Sequence, residues 1–189
     1  MSTVAICRYG AGNVRSVELA LARLGARIVD DLEQADLAVL PGVGSARSAM
    51  DGLRERGTDA VLRERHAAGR PILGNCLGLQ LALDESEEDG GVPGLGLVSG
   101  RAVRISGERV PRIGWASVEA PAGSDLGLRP GDEAYWFAHS YAAESEATVA
   151  TSEGLAAIVV QGSFTGVQFH PEKSGAAGAR FLEQCLSRG

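Results

Sequence analysis

The stretch ILGNCLGLQ (72–80) places one thiol, Cys76, between Gly74 and Gly78, where an apolar run gives way to a helical one. A cysteine in this setting is either a small core residue, as free cysteines commonly are, or a nucleophile on a sharp strand-to-helix turn. The spacing G-x-C-x-G has the mechanics of a nucleophile elbow, because small neighbours permit a strained turn that lifts the side chain above a sheet. A helix beginning at Leu77 favours the thiolate through its dipole and its free N–H groups. The Leu77 amide is then the first donor an oxyanion would meet.

A nucleophile needs a base, and the chain has three histidines. His66, in RERHAAG, lies among charges on a predicted surface helix and is expected to be solvated. His139, in FAHSYA, ends a β run and is open to two readings, a satisfied core histidine or a pocket wall. His170, in VQFHPEK, ends another strand and carries Glu172 two positions on. In extended chain, residues i and i+2 share a side, and Pro171 favours an extended His170. Glu172 can therefore fix the imidazole tautomer and stabilise its charged form, so Cys76, His170 and Glu172 are expected to form a triad for acyl transfer. Cys7, in the first strand, and Cys185, in the last helix, read as packing residues.

These groups must be positioned by regular elements. TVAIC (3–7), ARIV (26–29), LAVLP (37–41) and PILG (71–74) read as short apolar strands. Between them, Val14, Val17, Leu21 and Leu24 recur at helical spacing up to a capping Gly25, and helical segments are expected over about 45–68. Continuous apolar strands alternating with helices predict an α/β fold with an open, mostly parallel central sheet, flavodoxin-like, with helices on both faces. DESEEDGGVPG (84–94) reads as a solvated acidic loop. Beyond it, RAVRI, AYWFAHSY, AAIVVQ and FTGVQFH read as β-rich pieces, so additional antiparallel strands are expected in this second half before a closing helix over about 174–186. No linker or repeat divides the chain, so one domain over 1–189 is expected. Cys76 then falls at the carboxyl end of a central strand, where open α/β sheets place their ligands.

Composition narrows the function further. Of 189 residues, 44% are hydrophobic and 22% charged, an ordinary globular balance that sets aside disorder and membrane embedding. The net charge of −6 comes without a dense Lys/Arg run, which argues against nucleic acid as a partner. Three cysteines without a CxxC pair indicate neither a disulfide framework nor a zinc site. No metal or cofactor is expected. The N-terminus MSTVAICRYG has no basic and long apolar leader, so a cytoplasmic location is expected. GAGNVR after the first strand hints at a dinucleotide fingerprint, but Arg15 stands where its third small residue belongs.

GNCLGLQ and GVQFHPEKS resemble the nucleophile and base motifs of class I, triad-type glutamine amidotransferases. YGAGNVRSV (9–17), PGVGS (41–45), VPRIGW (110–115), HSYA (139–142) and Lys173-Ser174 are similar to one branch of that family, the glutaminase subunits of imidazole glycerol phosphate synthases in histidine biosynthesis. The likeness runs from about residue 4 to 186. It implies that glutamine is hydrolysed through a thioester on Cys76 and that the ammonia is channelled to a separate (β/α)₈ cyclase in a heterodimer. It maps Gly42, Val43 and Gly44 onto a loop that supplies an oxyanion donor after a backbone rearrangement. It sets Gln80, Gly44, Ser140 and Tyr141 around the glutamine, and Asn13, Trp115 and Lys173 toward the cyclase with Arg112 on the same surface.

The chain departs from this pattern at Arg8, where an acidic residue is common, and at Asn75, where an apolar one is. Arg112 and Ala116 replace the His and Asn of PHxGWN. A diverged paralogue feeding ammonia to another synthase, such as one aminating a sugar precursor, is one alternative. An inactive relative kept for complex formation is another.

Overall fold

The structure, a computed structural model, describes residues 1–10, 13–107, 110–121, 126, 128 and 133–188; Ala11 and Gly12 of the YGAGN motif lie outside the described residues. Strand β3 (Leu37–Leu40) explains the layering. Its alternate side chains enter different cores, Leu37 and Val39 on one face and Ala38 and Leu40 on the other, and all four are buried. A strand apolar on both faces must lie inside a sheet covered on both sides.

That sheet has seven strands in the order β11 (Thr148–Ser152), β12 (Leu155–Gln161), β13 (Phe164–Val167), β4 (Ile72–Asn75), β3, β1 (Thr3–Ile6) and β2 (Arg27–Val29). The run from β13 to β2 is parallel, and β11 and β12 pair antiparallel at one edge, as expected. Helices α1 (Val14–Arg23) and α5 (Gly175–Ser187) cover one face together with a two-stranded antiparallel ribbon, β8 (Arg112–Ser117) and β9 (Ala134–His139). The other face carries α2 (Ala46–Glu55), α3 (Thr58–Ala67) and α4 (Leu77–Ala82). Beside them lies a second sheet in the order β10 (Tyr141–Glu144), β7 (Arg101–Arg104), β5 (Glu85–Ser86) and β6 (Val92–Pro93). No described helix is long and apolar enough to cross a membrane.

The helical segments expected over 45–68 are α2 and α3, with Gly57 between them at a φ of 67° that turns the chain. Two expectations change. The acidic stretch 84–94 is not a free loop. It supplies β5 and β6, and Glu88 accepts the Ala46 N–H at 2.8 Å, satisfying a donor at the start of α2 that no helical carbonyl can reach. His66 is half-buried, not solvated, because Ser163 on the turn between β12 and β13 hydrogen-bonds its Nδ1 at 3.1 Å.

Candidate active site

The first four strands of the parallel run end toward one place. Tyr9 follows β1, Pro41–Gly44 follows β3, Cys76 follows β4, and Gln168–His170 follows β13. Cys76 has φ 50° and ψ −107°, a conformation rare for a side chain-bearing residue. Its N–H is still held by the Val167 carbonyl at 2.7 Å, so the turn begins abruptly at the thiol. The flanking glycines are steric requirements. A Cβ on Gly78 would lie 1.9 Å from the Leu40 carbonyl oxygen, and one on Gly74 would lie 2.6 Å from the Phe164 ring. The helix that starts at Leu77 therefore packs backbone against backbone and presents its first amides beside the sulfur.

His170 approaches from β13. Its imidazole faces the Cys76 sulfur, and its Nδ1 meets Glu172 Oε1 at 3.0 Å. The pairing and the extended backbone of His170 are as expected, but the chain beyond it is not. Residues 171–173 form a 3₁₀ turn, so the carboxylate curls back under the ring instead of lying along an extended strand. Pro171 fits the first position of such a turn, having no N–H to leave unpaired. Burial opposes a charge on His170, but the bond to Cys76 and the Glu172 carboxylate outweigh it and raise the imidazole to about 9. Burial pushes the thiols of Cys7 and Cys185 the other way from reactivity, to about 12, in keeping with packing roles.

Gln168, buried beside the thiol, was not singled out by sequence. Its Nε2 faces Cys76 Sγ at 3.5 Å and its Oε1 accepts from Gln80 Nε2 at 3.2 Å. Its place two residues before His170 was the available signal. Gln80 also donates to the Tyr141 carbonyl at 2.8 Å, and His139 Nδ1 meets that same carbonyl at 2.9 Å. A carbonyl only accepts, so Nδ1 carries the proton. Burial is the largest cause lowering His139 to about 4, aided by the neighbouring Arg112 and His170 charges. His139 is thus a neutral wall of the pocket, and His170 is the imidazole raised beside Cys76.

A cavity of about 330 Å³ opens above Cys76, walled by Gly42, Val43, Gly44, Leu77, Gln80, Ser140, Tyr141, His139, His170, Glu88 and Lys173 among others. Every expected oxyanion and glutamine-contacting residue lies on it, and Glu88 joins them unforeseen. The Gly42–Gly44 loop runs directly over the start of α4: a Cβ on Gly42 would lie 2.5 Å from the Leu77 nitrogen and 2.4 Å from that of Gly78. A broader depression of about 690 Å³ lies beyond Tyr9 and contains none of these groups.

The four residues expected to face a partner are not alike. Trp115 is 56% exposed, with Ile113 at 62%, on the outer side of the ribbon, where Trp115 meets Trp136 edge-on at 5.6 Å. Lys173 is exposed at the cavity rim. Asn13 accepts from Ser16 Oγ at 2.8 Å at the start of α1. Arg112 turns inward, contrary to expectation: its guanidinium sits 4.2 Å from the Phe137 ring centre and bonds Glu153 at 3.0 Å and Ser152 at 2.8 Å. Strand alternation is the reason, since Ile113 and Trp115 take the outer side. Of the other departures, Arg8 pairs with Glu18 on α1, and Ala116 packs at the edge of the core. Nothing in the structure explains Asn75, whose buried side-chain amide has no partner among the described residues.

Comparison with known proteins agrees with this arrangement. The class-I glutamine amidotransferase family matches residues 5–188. The imidazole glycerol phosphate synthase subunit HisH of Oceanobacillus iheyensis is 41% identical over 194 residues, covering 96% of each chain. The chloroplastic imidazole glycerol phosphate synthase hisHF of Arabidopsis thaliana is 39% identical over 98% of this chain and 34% of its own. A crystal structure of a glutamine amidotransferase superposes with TM-score 0.76 at 24% identity, over 96% of this chain and 98% of that one. With its fold, its elbow and its motifs in agreement, the chain belongs to the class-I glutamine amidotransferase family.

Proposed function

We propose that this chain is the glutaminase subunit of an imidazole glycerol phosphate synthase, acting as one domain over 1–189 in the cytoplasm. The observation that carries the reading is a strained thiol at the head of α4, facing an imidazole that Glu172 anchors from behind, on the wall of a cavity. Glutamine enters with its carboxamide over Cys76. The thiolate adds to the carboxamide carbon, and the oxyanion is met by the Leu77 N–H and by the Val43 N–H once the Gly42–Gly44 loop has turned it inward. His170, as imidazolium, gives its proton to the departing nitrogen, so ammonia leaves and a glutamyl thioester remains. Neutral His170 then takes a proton from water, whose oxygen attacks the thioester to release glutamate and restore the thiolate–imidazolium pair. Glu88, the acidic wall of the cavity, suits the α-ammonium group of the substrate.

The subunit hands its ammonia to a (β/α)₈ cyclase in a heterodimer. Two features support that partner. Ile113 lines the cavity and Trp115 follows it on the same exposed side of β8, so the two form an apolar ledge of the kind that interfaces cover. The Arabidopsis thaliana synthase matches this chain along about a third of its length, leaving most of the protein for other work. The test is glutamate release from glutamine by the purified chain, alone and with the cyclase of its own organism loaded with imidazole glycerol phosphate. Wild type should be stimulated by the loaded cyclase, and Cys76→Ala should release no glutamate in either state. Hydrolysis by Cys76→Ala would end the assignment of the nucleophile, and failure to bind any cyclase would end that of the partner.

A further inference from the structure

Tyr9 belongs to the motif that most marks this chain, yet the chemistry above leaves it without a role. It lies just past β1 and is 3% exposed, under the loop that follows β3. Its hydroxyl donates to the Pro41 carbonyl at 2.5 Å, and the backbone N–H of Val43 faces the Tyr9 hydroxyl oxygen. One phenol therefore spans the bend Pro41–Gly42–Val43 from both ends. The backbone of Tyr9 has little freedom to follow the loop, because α2 presses on it: a Cβ on Gly52 would lie 2.2 Å from the Tyr9 carbonyl oxygen. Burial keeps the phenol neutral, so it retains the proton that Pro41 accepts. While the Val43 N–H is aimed at Tyr9, it is withdrawn from the space above Cys76.

We propose that Tyr9 is a latch on the Gly42–Gly44 loop, a positioning residue that holds the Val43 amide in its withdrawn orientation and so sets the unstimulated rate of glutamine hydrolysis. The proposal rests on the reading in which this loop supplies an oxyanion donor. Turning the Gly42–Val43 peptide inward breaks the Val43 contact with the hydroxyl, while the flanking glycines absorb the change; Gly44 already has φ 114°. A cyclase loaded with its ligand stimulates hydrolysis by favouring the turned loop over the latched one, and the latch sets how much it must supply.

The test is Tyr9→Phe, which keeps the ring and removes only the hydroxyl. Its basal hydrolysis should rise about three- to tenfold, the factor that one buried hydrogen bond gives. The rate with cyclase and imidazole glycerol phosphate should stay at the wild-type value, and so should the glutamine KM. Amide hydrogen exchange at 42–44 should quicken, a readout independent of turnover that a merely structural role elsewhere in β1 would not produce. A basal rate equal to or below wild type, or unaltered exchange at 42–44 in a folded variant, would overturn the latch. Full turnover by wild type without any partner would remove the loop switch itself, and the latch with it, a result read from wild type alone.

Discussion

His170 Nδ1 and Glu172 Oε1 lie 3.0 Å apart with their side chains 4% and 3% exposed. A carboxylate can only accept, so this one fixes the proton on Nδ1 and leaves Nε2 for the thiol. Glu172→Gln should keep the fold and lower the steady-state rate by about a hundredfold or more, because an amide holds the ring less well and does not support its charge. His170→Ala should cost about as much as Cys76→Ala, since the two act as one unit. Steady-state kinetics on the three variants checks the order, and a His170→Ala enzyme faster than Glu172→Gln would refute it.

The contacts of His170 with Cys76 and with Glu172 couple stability to pH. His170 is raised from 6.5 to about 9 in the folded chain, so the folded state binds its proton more tightly than the unfolded state does. The stabilisation is fully present below pH 6.5 and is lost as pH rises through about 9, on the order of 3 kcal/mol at most. Urea unfolding of wild type and His170→Gln between pH 6 and 10 should therefore show a gap that narrows with rising pH. A gap that widens in that window would reverse the assignment.

The parts of this site that were legible in the sequence are those set by local backbone rules. Gly74, Cys76 and Gly78 announce the elbow because only glycine tolerates the contacts with Phe164 and Leu40. Alternating apolar strands announce the layers. Glu88 and Gln168 were hidden for opposite reasons. Glu88 sits in an acidic run whose composition looks solvated, and its partner, the Ala46 amide, is 42 residues away. Gln168 is a buried polar residue satisfied by other buried polar groups, a pairing that no single-strand pattern encodes. Arg112 was misplaced because its motif fixes its position along the strand, while its side is decided by the register of β8 on β9.

Gln168 should matter to the chemistry through the sulfur. An N–H aimed at a developing thiolate is a charge-assisted contact, the stronger class of hydrogen bond. Gln168→Leu keeps the bulk but removes that donor and leaves Gln80 with one acceptor fewer. Acylation by a glutamine-analogue electrophile should slow about 10- to 100-fold. Labelling of Cys76 at the wild-type rate would show the contact to be idle.

Arg65 offers a prediction about stability alone. It is 3% exposed, and its guanidinium donates to the carbonyls of Leu32, Ala35, Asp36 and Pro71 at 2.7–3.2 Å, at the end of the sheet away from Cys76. Burial lowers its pKa, but a guanidinium stays charged at any working pH. Arg65→Met should cost about 3 kcal/mol or more by leaving several carbonyls unpaired, with kcat unchanged at temperatures where the variant is folded. Thermal unfolding and a single activity assay suffice, and an unshifted midpoint would contradict the estimate.

The two sides of β8 make separable predictions for partner binding. On the outer side, Ile113 on the cavity wall and Trp115 two residues beyond it are exposed, and aromatic anchors of this kind carry much of an interface's affinity. Trp115→Ala should weaken the complex with a cyclase about 30-fold or more while leaving unstimulated hydrolysis intact, because the ring touches neither Cys76 nor its loop. On the inner side, Arg112 bonds Glu153 and Ser152 and stacks on Phe137, so it acts on the ribbon that carries those anchors. Arg112→His, which restores the family's residue, gives up these contacts and should lower the unfolding midpoint. Its effect on affinity should stay within about tenfold, since a side chain turned inward adds little to an interface it does not reach. Titration calorimetry on both variants separates the sides. If Arg112→His weakened binding more than Trp115→Ala, the partner would have to reach through the ribbon, and its outer face would not be the docking surface.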